Sequence, residues 1–197
     1  MKSKIPLCLA LVLISSLLGC STTARHSIAD RPSSGSTTDR QWGPASNGLQ
    51  MSLSVLMTRH RGDPEFEVAF WNAGEQDVCL NLGAMLANGK VQLPDKIHLN
   101  LLDASGRSRE LHFADRRYPG VAGRLDDYVV PLRVGSTYTL RLRLDQFWSP
   151  GTQEFELKLT PGRYEVSAQF QEDRAETRNL IFVWKGKLQS NSVEIVE

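Results

Sequence analysis

From Leu49 onward, apolar and polar residues alternate with a period of two, which is typical of half-buried β-strands. The first run places Leu49, Met51 and Leu53 on one face and polar residues on the other. Later runs of the same kind span Phe66–Phe70, Val78–Leu82, Ile97–Leu101, Tyr138–Leu144, Phe155–Leu159, Tyr164–Phe170 and Val193–Ile195. Clusters of turn-forming residues separate these short runs, and no helical periodicity intervenes. The sequence therefore predicts an all-β sandwich of about 7–9 strands over residues 48–197.

The first nineteen residues follow a different pattern. Lys2 and Lys4 precede an uncharged apolar run, Ile5–Leu18. A membrane-spanning helix needs about 20 residues, so this run is too short to be a permanent span. A positive start followed by a short apolar stretch is typical of a secretory signal peptide. Residues 1–19 are therefore predicted to be removed on export.

The apolar run ends in Leu17-Leu18-Gly19-Cys20, which resembles the lipobox of bacterial lipoproteins. In that family the cysteine sulfur receives a diacylglyceryl group, and a dedicated peptidase cuts before the cysteine. The resemblance implies lipidation of Cys20 and stable membrane anchoring, because several acyl chains together hold a protein on a bilayer. It also implies a location in the cell envelope. Ser21, where Asp would favour the inner membrane, favours the outer membrane, with the domain facing the periplasm or the cell surface.

Residues 20–47 join the lipidated cysteine to the sandwich. They are rich in Ser, Thr, Gly and Pro and have almost no apolar periodicity, which predicts a flexible linker with a reach of order 30 Å. Two of its residues need a separate interpretation. His26 is expected to be solvated, and Trp42 is expected to be an anchor at the edge of the domain.

Charge and cysteine content narrow the classes of partner. Without residues 1–19, which include two lysines, 21 Lys and Arg face 22 Asp and Glu, a net charge of −1. A nucleic-acid binder shows a strong basic excess, so we expect no nucleic-acid partner.

Once Cys8 leaves with the signal peptide and Cys20 is lipidated, Cys79 has no cysteine to pair with. We expect Cys79 to be a small packed residue without redox function.

One octapeptide, Leu159-Thr160-Pro161-Gly162-Arg163-Tyr164-Glu165-Val166, resembles the E–F corner of immunoglobulin-like and fibronectin type III domains. The resemblance implies an immunoglobulin-like Greek-key β-sandwich in which the Tyr164 hydroxyl bonds back to the corner backbone. The strand layout and the Pro-Gly-x-Tyr sequence are also similar to the β-sandwich of bacterial intracellular proteinase inhibitors. A protease-inhibitor-like module is therefore one alternative function.

A turn that pairs Asp103 with Arg107 closes a predicted hairpin. The register that gathers its apolar side chains on one face sets His98 opposite His112, with Glu110 beside them on the other face. Two imidazoles and a carboxylate offer ligands for zinc or copper, although histidines on a solvated sheet face are more often ordinary polar residues. We expect no bound metal. A periplasmic metal-binding protein that uses His98 and His112 is a second alternative function.

Two loops, residues 114–127 and 171–191, are long enough to carry a recognition surface. Protein interfaces depend mainly on aromatic and arginine anchors. The candidate partner-binding residues are therefore Arg117, Tyr118, Trp148 and Trp184. Trp184 ends an apolar run, so packing in the core is the favoured interpretation for that side chain.

The sequence lacks the local signatures of catalysis. It contains no Gly-x-Ser-x-Gly elbow, His-Glu-x-x-His helix, glycine-rich phosphate loop or Cys-x-x-Cys pair. We therefore expect neither catalytic residues nor a small-molecule cofactor. The leading interpretation is a lipid-anchored lipoprotein that presents an immunoglobulin-like binding or accessory module to a protein or other envelope partner.

Overall fold

The computed structural model describes residues 40–56, 64–86, 89–114, 124–150, 157, 159–173 and 183–197. Within these ranges it contains eleven strands: β1 (Leu49–Leu56), β2 (Glu65–Asn72), β3 (Val78–Leu86), β4 (Val91–Leu93), β5 (Ile97–Asp103), β6 (Ser108–Phe113), β7 (Asp126–Leu132), β8 (Thr137–Arg143), β9 (Phe147–Trp148), β10 (Arg163–Glu172) and β11 (Gly186–Val196). A 3-10 turn, Leu144–Gln146, precedes β9. No helix among these residues has the length and apolarity needed to cross a bilayer. The predicted signal peptide, Cys20 and the predicted linker as far as residue 39 lie outside the described residues.

The strands form three sheets with the orders β1-β2-β8, β11-β10-β5-β6-β9 and β4-β3-β7. Every pair of neighbouring strands is antiparallel. Buried apolar residues from all three sheets join in one core cluster. The described residues therefore form a sandwich-like all-β fold, and the prediction of an all-β chain is confirmed.

The period-two pattern determines which side chains enter this core. Leu49 and Met51 of β1 are fully buried, and they lie opposite Asn72 and Phe70 of β2. Complete burial of a large apolar side chain contributes about 1.5–3 kcal/mol to stability. The largest fully buried side chains are Phe66, Phe70, Phe147, Phe170, Leu49, Met51, Leu53, Leu80, Leu82, Ile97, Leu99 and Leu101.

The eleven strands exceed the expected number because three of them carry weak sequence signals. β4 and β9 have only three and two residues, which is too short for an alternating pattern. β7 contains Pro131 and begins at Asp126, inside the predicted loop 114–127. The run predicted at Phe155–Leu159 lies mostly outside the described residues. Its Leu157 and Leu159 belong to none of the strands and pack against the core as partly buried side chains.

Polar side chains join the sheets to one another. The backbone N–H of Leu53 in β1 donates to the Asn191 Oδ1 in β11 at 2.9 Å, and Asn191 Nδ2 donates to the Leu53 carbonyl at 3.0 Å. The hydroxyls of Tyr128 in β7 and Tyr138 in β8 are 2.5 Å apart. Burial, followed by the hydrogen bond with Tyr138, raises the pKa of Tyr128 well above its ordinary value. These contacts connect the first sheet to each of the other two.

Residues Arg40–Ser46, here named the docked segment, pack against the sandwich before β1 begins. Gly43 N–H donates to the Met51 carbonyl at 2.8 Å, and the Ser52 hydroxyl donates to the Gln41 carbonyl at 2.6 Å. Residues 40–46, which the composition assigned to the linker, therefore pack against the sandwich.

Asn47 and Gly48 form the turn between the docked segment and β1, and both have positive φ (46° and 79°). Asn-Gly is the sequence that favours such a hairpin turn, since these residues tolerate the left-handed region best. Ser46 and Leu49, on either side of this turn, exchange two backbone hydrogen bonds of 2.9 Å. The Asn-Gly pair was therefore the local sequence signal for this hairpin.

Aromatic and charged side chains fasten the docked segment to β2. Trp42 packs against Trp71 with ring centroids 5.6 Å apart, as expected for an anchor at the domain edge. The Arg40 guanidinium lies 5.8 Å from the centroid of the Trp42 ring and 2.7 Å from the Glu67 carboxylate. A cation over an aromatic face is attracted by the ring quadrupole, so Arg40 adds to the contact between the two tryptophans.

The octapeptide at 159–166 contains a hydrogen bond from a tyrosine side chain to the backbone. The Tyr164 hydroxyl donates to the Thr160 carbonyl at 2.8 Å and lies 3.0 Å from the Thr160 hydroxyl. Tyr164 is the second residue of β10 and is 9% exposed. The predicted hydrogen bond back to the corner backbone is therefore present.

Candidate functional site

The outer face of the five-stranded sheet carries most of the candidate chemistry. In β5, Ile97, Leu99 and Leu101 point into the core, so the intervening His98 and Asn100 point outward. The cross-strand registers extend this outward row over all five strands. We name this surface the polar face, and its central row consists of Gln189, Gln169, His98, His112 and Trp148.

The turn between β5 and β6 fixes the register of the polar face. The Asp103 carboxylate accepts hydrogen bonds from the backbone N–H groups of Ser105 and Arg107, both at 2.9 Å. Gly106 has φ 80°, a conformation that glycine adopts at little cost. Hydrogen bonds from the Ser105 hydroxyl and then from the Arg107 backbone lower the pKa of Asp103. The carboxylate therefore holds the turn in its charged form.

This register brings together the three side chains that the sequence predicted. His98 lies opposite His112, and their rings stack with centroids 4.2 Å apart and planes inclined by 21°. Glu110 precedes His112 by two residues and so shares its face of β6. The Glu110 Oε1 is 2.9 Å from His98 Nδ1 and 3.4 Å from His112 Nε2. One carboxylate oxygen thus contacts an imidazole nitrogen on each strand.

Neutral imidazole nitrogens and carboxylate oxygens are both ligands for late first-row divalent ions. One ligand atom from each of the three side chains lies within 4.8 Å of the other two. The side chains of His98, His112 and Glu110 are 31%, 37% and 52% exposed. A solute therefore has access to the cluster.

Trp148 borders the cluster at the edge of the sheet. Its strand, β9, pairs with β6 so that Trp148 lies opposite His112. The two rings meet edge to face, with centroids 6.4 Å apart and planes inclined by 65°. Trp148 is half-buried. Of the predicted partner-binding residues that the structure describes, Trp148 is the one on the polar face.

A concavity on the polar face lies beside the cluster, lined by residues that pair with it across the strands. It has a volume of about 370 Å³ and is lined mainly by amide, hydroxyl and carboxylate side chains. Asn100, which lies opposite Glu110, belongs to this lining. Ser167 and Gln169 of β10 line it as well. The concavity can therefore offer hydrogen bonds to a polar ligand next to the histidine pair.

Trp184 lies in the core. It is 4% exposed, and its ring stacks on Phe170 with centroids 5.7 Å apart. Its indole N–H donates to the Asn47 carbonyl at 3.1 Å, which satisfies the polar end of the side chain. The structure therefore favours the packing interpretation of Trp184, and this side chain offers almost no surface to a partner.

The remaining predicted residues are only partly described. Arg117, Tyr118 and Cys20 lie outside the described residues. Cys79 is half-buried in β3, and its carbonyl accepts a hydrogen bond of 2.9 Å from the Trp184 backbone N–H. This position agrees with the expectation that Cys79 is a packed residue.

Sequence reasoning found the histidine pair because a local turn and local alternation set the hairpin register. It missed the position of Trp148, since β9 has two residues and pairs with a strand far away along the chain. Composition and motif give no signal for that pairing. No protein-family model, curated protein or solved structure matches this chain.

Proposed function

We propose that this chain is a lipid-anchored envelope lipoprotein that presents an immunoglobulin-like module to an envelope protein outside the cytoplasm. The single observation that carries the proposal is the sequence Leu17-Leu18-Gly19-Cys20 at the end of a short apolar run behind two lysines. Cys20 receives the lipid, and acyl chains hold the mature protein at the membrane surface, which we propose to be the outer membrane.

The corner at Tyr164 supports the immunoglobulin-like part of the proposal. A tyrosine near the start of a strand, bonded to the backbone a few residues earlier, is a hallmark of that group of sandwiches. Here the hydroxyl reaches the carbonyl of Thr160, four residues earlier. The antiparallel sheets around one apolar core are compatible with the same architecture.

The docked segment supports the lipid-anchored part of the proposal, because it holds the residues just before β1 against the sandwich. The Arg40–Glu67 ion pair and the Trp42–Trp71 contact hold the docked segment against β2. We propose that tension transmitted from the lipid along the chain reaches the docked segment before it reaches β1. The polar face, on another sheet, stays available for a partner.

Metabolic labelling with palmitate tests the anchor. We expect label on the wild-type chain and on Cys79→Ala, and none on Cys20→Ala. The Cys20→Ala protein should also lose its association with the membrane fraction. Cys79→Ala is the matched control because it removes the other cysteine of the mature chain. Labelled Cys20→Ala protein would contradict the proposal.

Site-specific crosslinking in intact envelopes tests the binding role. A photo-crosslinking residue at position 118 or 148 should capture one envelope protein. The same residue at Thr139, an exposed position on β8, is the control and should not capture that protein. Equal capture at all three positions, or capture at none of them, would contradict a partner surface that includes Tyr118 and Trp148.

A further inference from the structure

The polar face carries an inference that the proposed function does not require. We propose that His98, Glu110 and His112 form a binding site for a late first-row divalent transition ion, Zn²⁺ or Cu²⁺, on the surface of the mature domain. The supporting observation is the convergence of two imidazole nitrogens on one carboxylate oxygen, at 2.9 Å and 3.4 Å.

These distances fit the spacing of ligands around a metal ion. Nitrogen and oxygen ligands lie about 2.0–2.1 Å from Zn²⁺, so two ligands of a tetrahedral ion are separated by about 3.4 Å. The Glu110–His112 distance already has this value, and the Glu110–His98 distance is 0.5 Å shorter. All three ligand atoms lie within 4.8 Å of one another. The two rings are stacked with planes inclined by 21°, so an ion binds between the ligands once side-chain rotation turns both rings toward a common point.

The backbone preorganises the two strands that supply the ligands. Glu110 and His112 share a face of β6 because they are two residues apart, and the register places His98 directly opposite His112. The Asp103 carboxylate holds the adjoining turn through two backbone N–H groups. The site therefore rests on strands of a five-stranded sheet, and binding needs no rearrangement of the hairpin.

The donor set selects the class of ion. Two imidazoles favour zinc and copper over magnesium and calcium, which prefer a shell made of oxygen ligands. Three protein ligands leave one tetrahedral position for water or for a group from a partner. Because the side chains are 31–52% exposed, water or a partner has access to the bound ion.

Calorimetric titration of the full, untagged chain in detergent with ZnCl₂ tests the site. We expect one ion per chain with micromolar or tighter affinity, and at saturation a rise of about 5 °C in Tm. His98→Ala or His112→Ala should weaken binding by at least about 100-fold, since loss of even an indirect partner of a metal ligand costs 10–100-fold. Glu110→Gln should weaken binding less, because the amide oxygen can still bind the ion, although more weakly than a carboxylate.

Three control variants separate this site from other donors. His60→Ala removes one of the two histidines outside the cluster, Gln169→Ala changes the same row of the polar face, and Cys79→Ala removes a thiol. Each should bind Zn²⁺ as the wild type does. Mg²⁺ at the same concentration should give no heat and no change in Tm. Cys20→Ala should keep its Zn²⁺ affinity, so a failure of the anchor proposal and a failure of this one are distinguishable.

Copper quenching of tryptophan fluorescence supplies a second readout that reports position. The chain has four tryptophans, and Trp148 is the one whose ring packs against a cluster histidine, with centroids 6.4 Å apart. Cu²⁺ should quench part of the emission, and Trp148→Phe should remove most of that quenching. Unchanged binding of Zn²⁺ or Cu²⁺ by His98→Ala and His112→Ala would overturn the proposal. The proposal would also fail if the wild type bound neither ion at about 100 µM.

Discussion

The outer surfaces of two sheets begin from the same sequence pattern and end in opposite states. On β1 and β2 the docked segment closes over polar positions, so that Ser52 is 1% exposed although it alternates with core residues. On β5 and β6 the corresponding positions, His98 and His112, keep about a third of their side-chain surface exposed. The alternation of apolar and polar residues in the sequence is the same for both surfaces.

The two surfaces differ in what contacts their polar side chains. On the first surface, contacts come from the chain itself, through Arg40, Trp42 and Gly43, and they hold residues 40–46 against the sandwich. On the polar face, three potential ligands converge and remain accessible. We therefore expect changes under the docked segment to unfold or loosen the domain, and changes on the polar face to affect binding with little loss of stability.

The strongest test of this comparison is Gly43→Ala. A Cβ at residue 43 would lie 2.0 Å from the Gln189 carbonyl oxygen and 2.9 Å from the Ser190 carbonyl carbon, both backbone atoms of β11. Either the docked segment leaves its place or β11 shifts, and overpacking of this kind costs about 3 kcal/mol. Urea unfolding should show this loss as a lower midpoint.

Gly162→Ala is the matched control for Gly43→Ala. Its added Cβ would meet one atom at 3.9 Å, an ordinary contact, and the glycine does not have positive φ. We expect a change in stability of no more than about 0.5 kcal/mol. If both alanine variants unfold at the same urea concentration as the wild type, the docked segment contributes nothing to stability.

Trp42→Ala should have the next largest effect. The change removes the aromatic contact with Trp71 at 5.6 Å and the guanidinium contact of Arg40 at 5.8 Å. We expect a loss of about 2 kcal/mol in the free energy of unfolding and faster proteolytic cleavage within residues 40–47. Trp42→Phe, which keeps an aromatic ring, should lose less than half as much. Equal cleavage rates in Trp42→Ala and the wild type would contradict the fastening role.

These two surfaces also show how far the sequence alone can predict this structure. The hairpin that carries His98 and His112 was predictable because its turn, its alternation and its pairing are all local. In the docked segment the Trp42 anchor was predicted, but the remaining contacts were not, since they depend on single residues such as Arg40 and Gly43 rather than on a period. Its Asn47-Gly48 turn was a local signal that composition obscured.

The edge of the polar face was harder to predict for a related reason. β9 is two residues long, and its pairing with β6 joins Trp148 to His112 across 36 positions of the chain. Non-local pairing of this kind depends on how the whole core packs. The burial of Trp184 against Phe170 has the same origin, although its apolar neighbours in the sequence already favoured packing.

A smaller effect is expected from Asp103→Asn, in the turn that supports the polar face. The pKa of the Asp103 carboxylate is lowered below its ordinary value of 3.8. The stability that the charged carboxylate contributes is therefore fully present above pH 3.8 and is lost as the pH falls through the folded pKa. The wild type should therefore exceed the variant in stability at pH 7, and the gap should shrink below about pH 3.8. Urea unfolding at several pH values measures it. A gap that stays constant down to about pH 2 would show that the charge has no part in holding the turn.

The smallest effect on stability is expected from His98→Ala and His112→Ala in the presence of a chelator. Both side chains are partly solvated, their neighbours Leu99 and Leu111 stay buried, and the backbone ladder between the strands is unchanged. The free energy of unfolding should therefore change by no more than about 0.5 kcal/mol. With Zn²⁺ added, the wild type should gain stability and the two variants should not. A loss comparable to that of Trp42→Ala without metal would mean that the histidine pair serves the fold, and the contrast between the two surfaces would disappear.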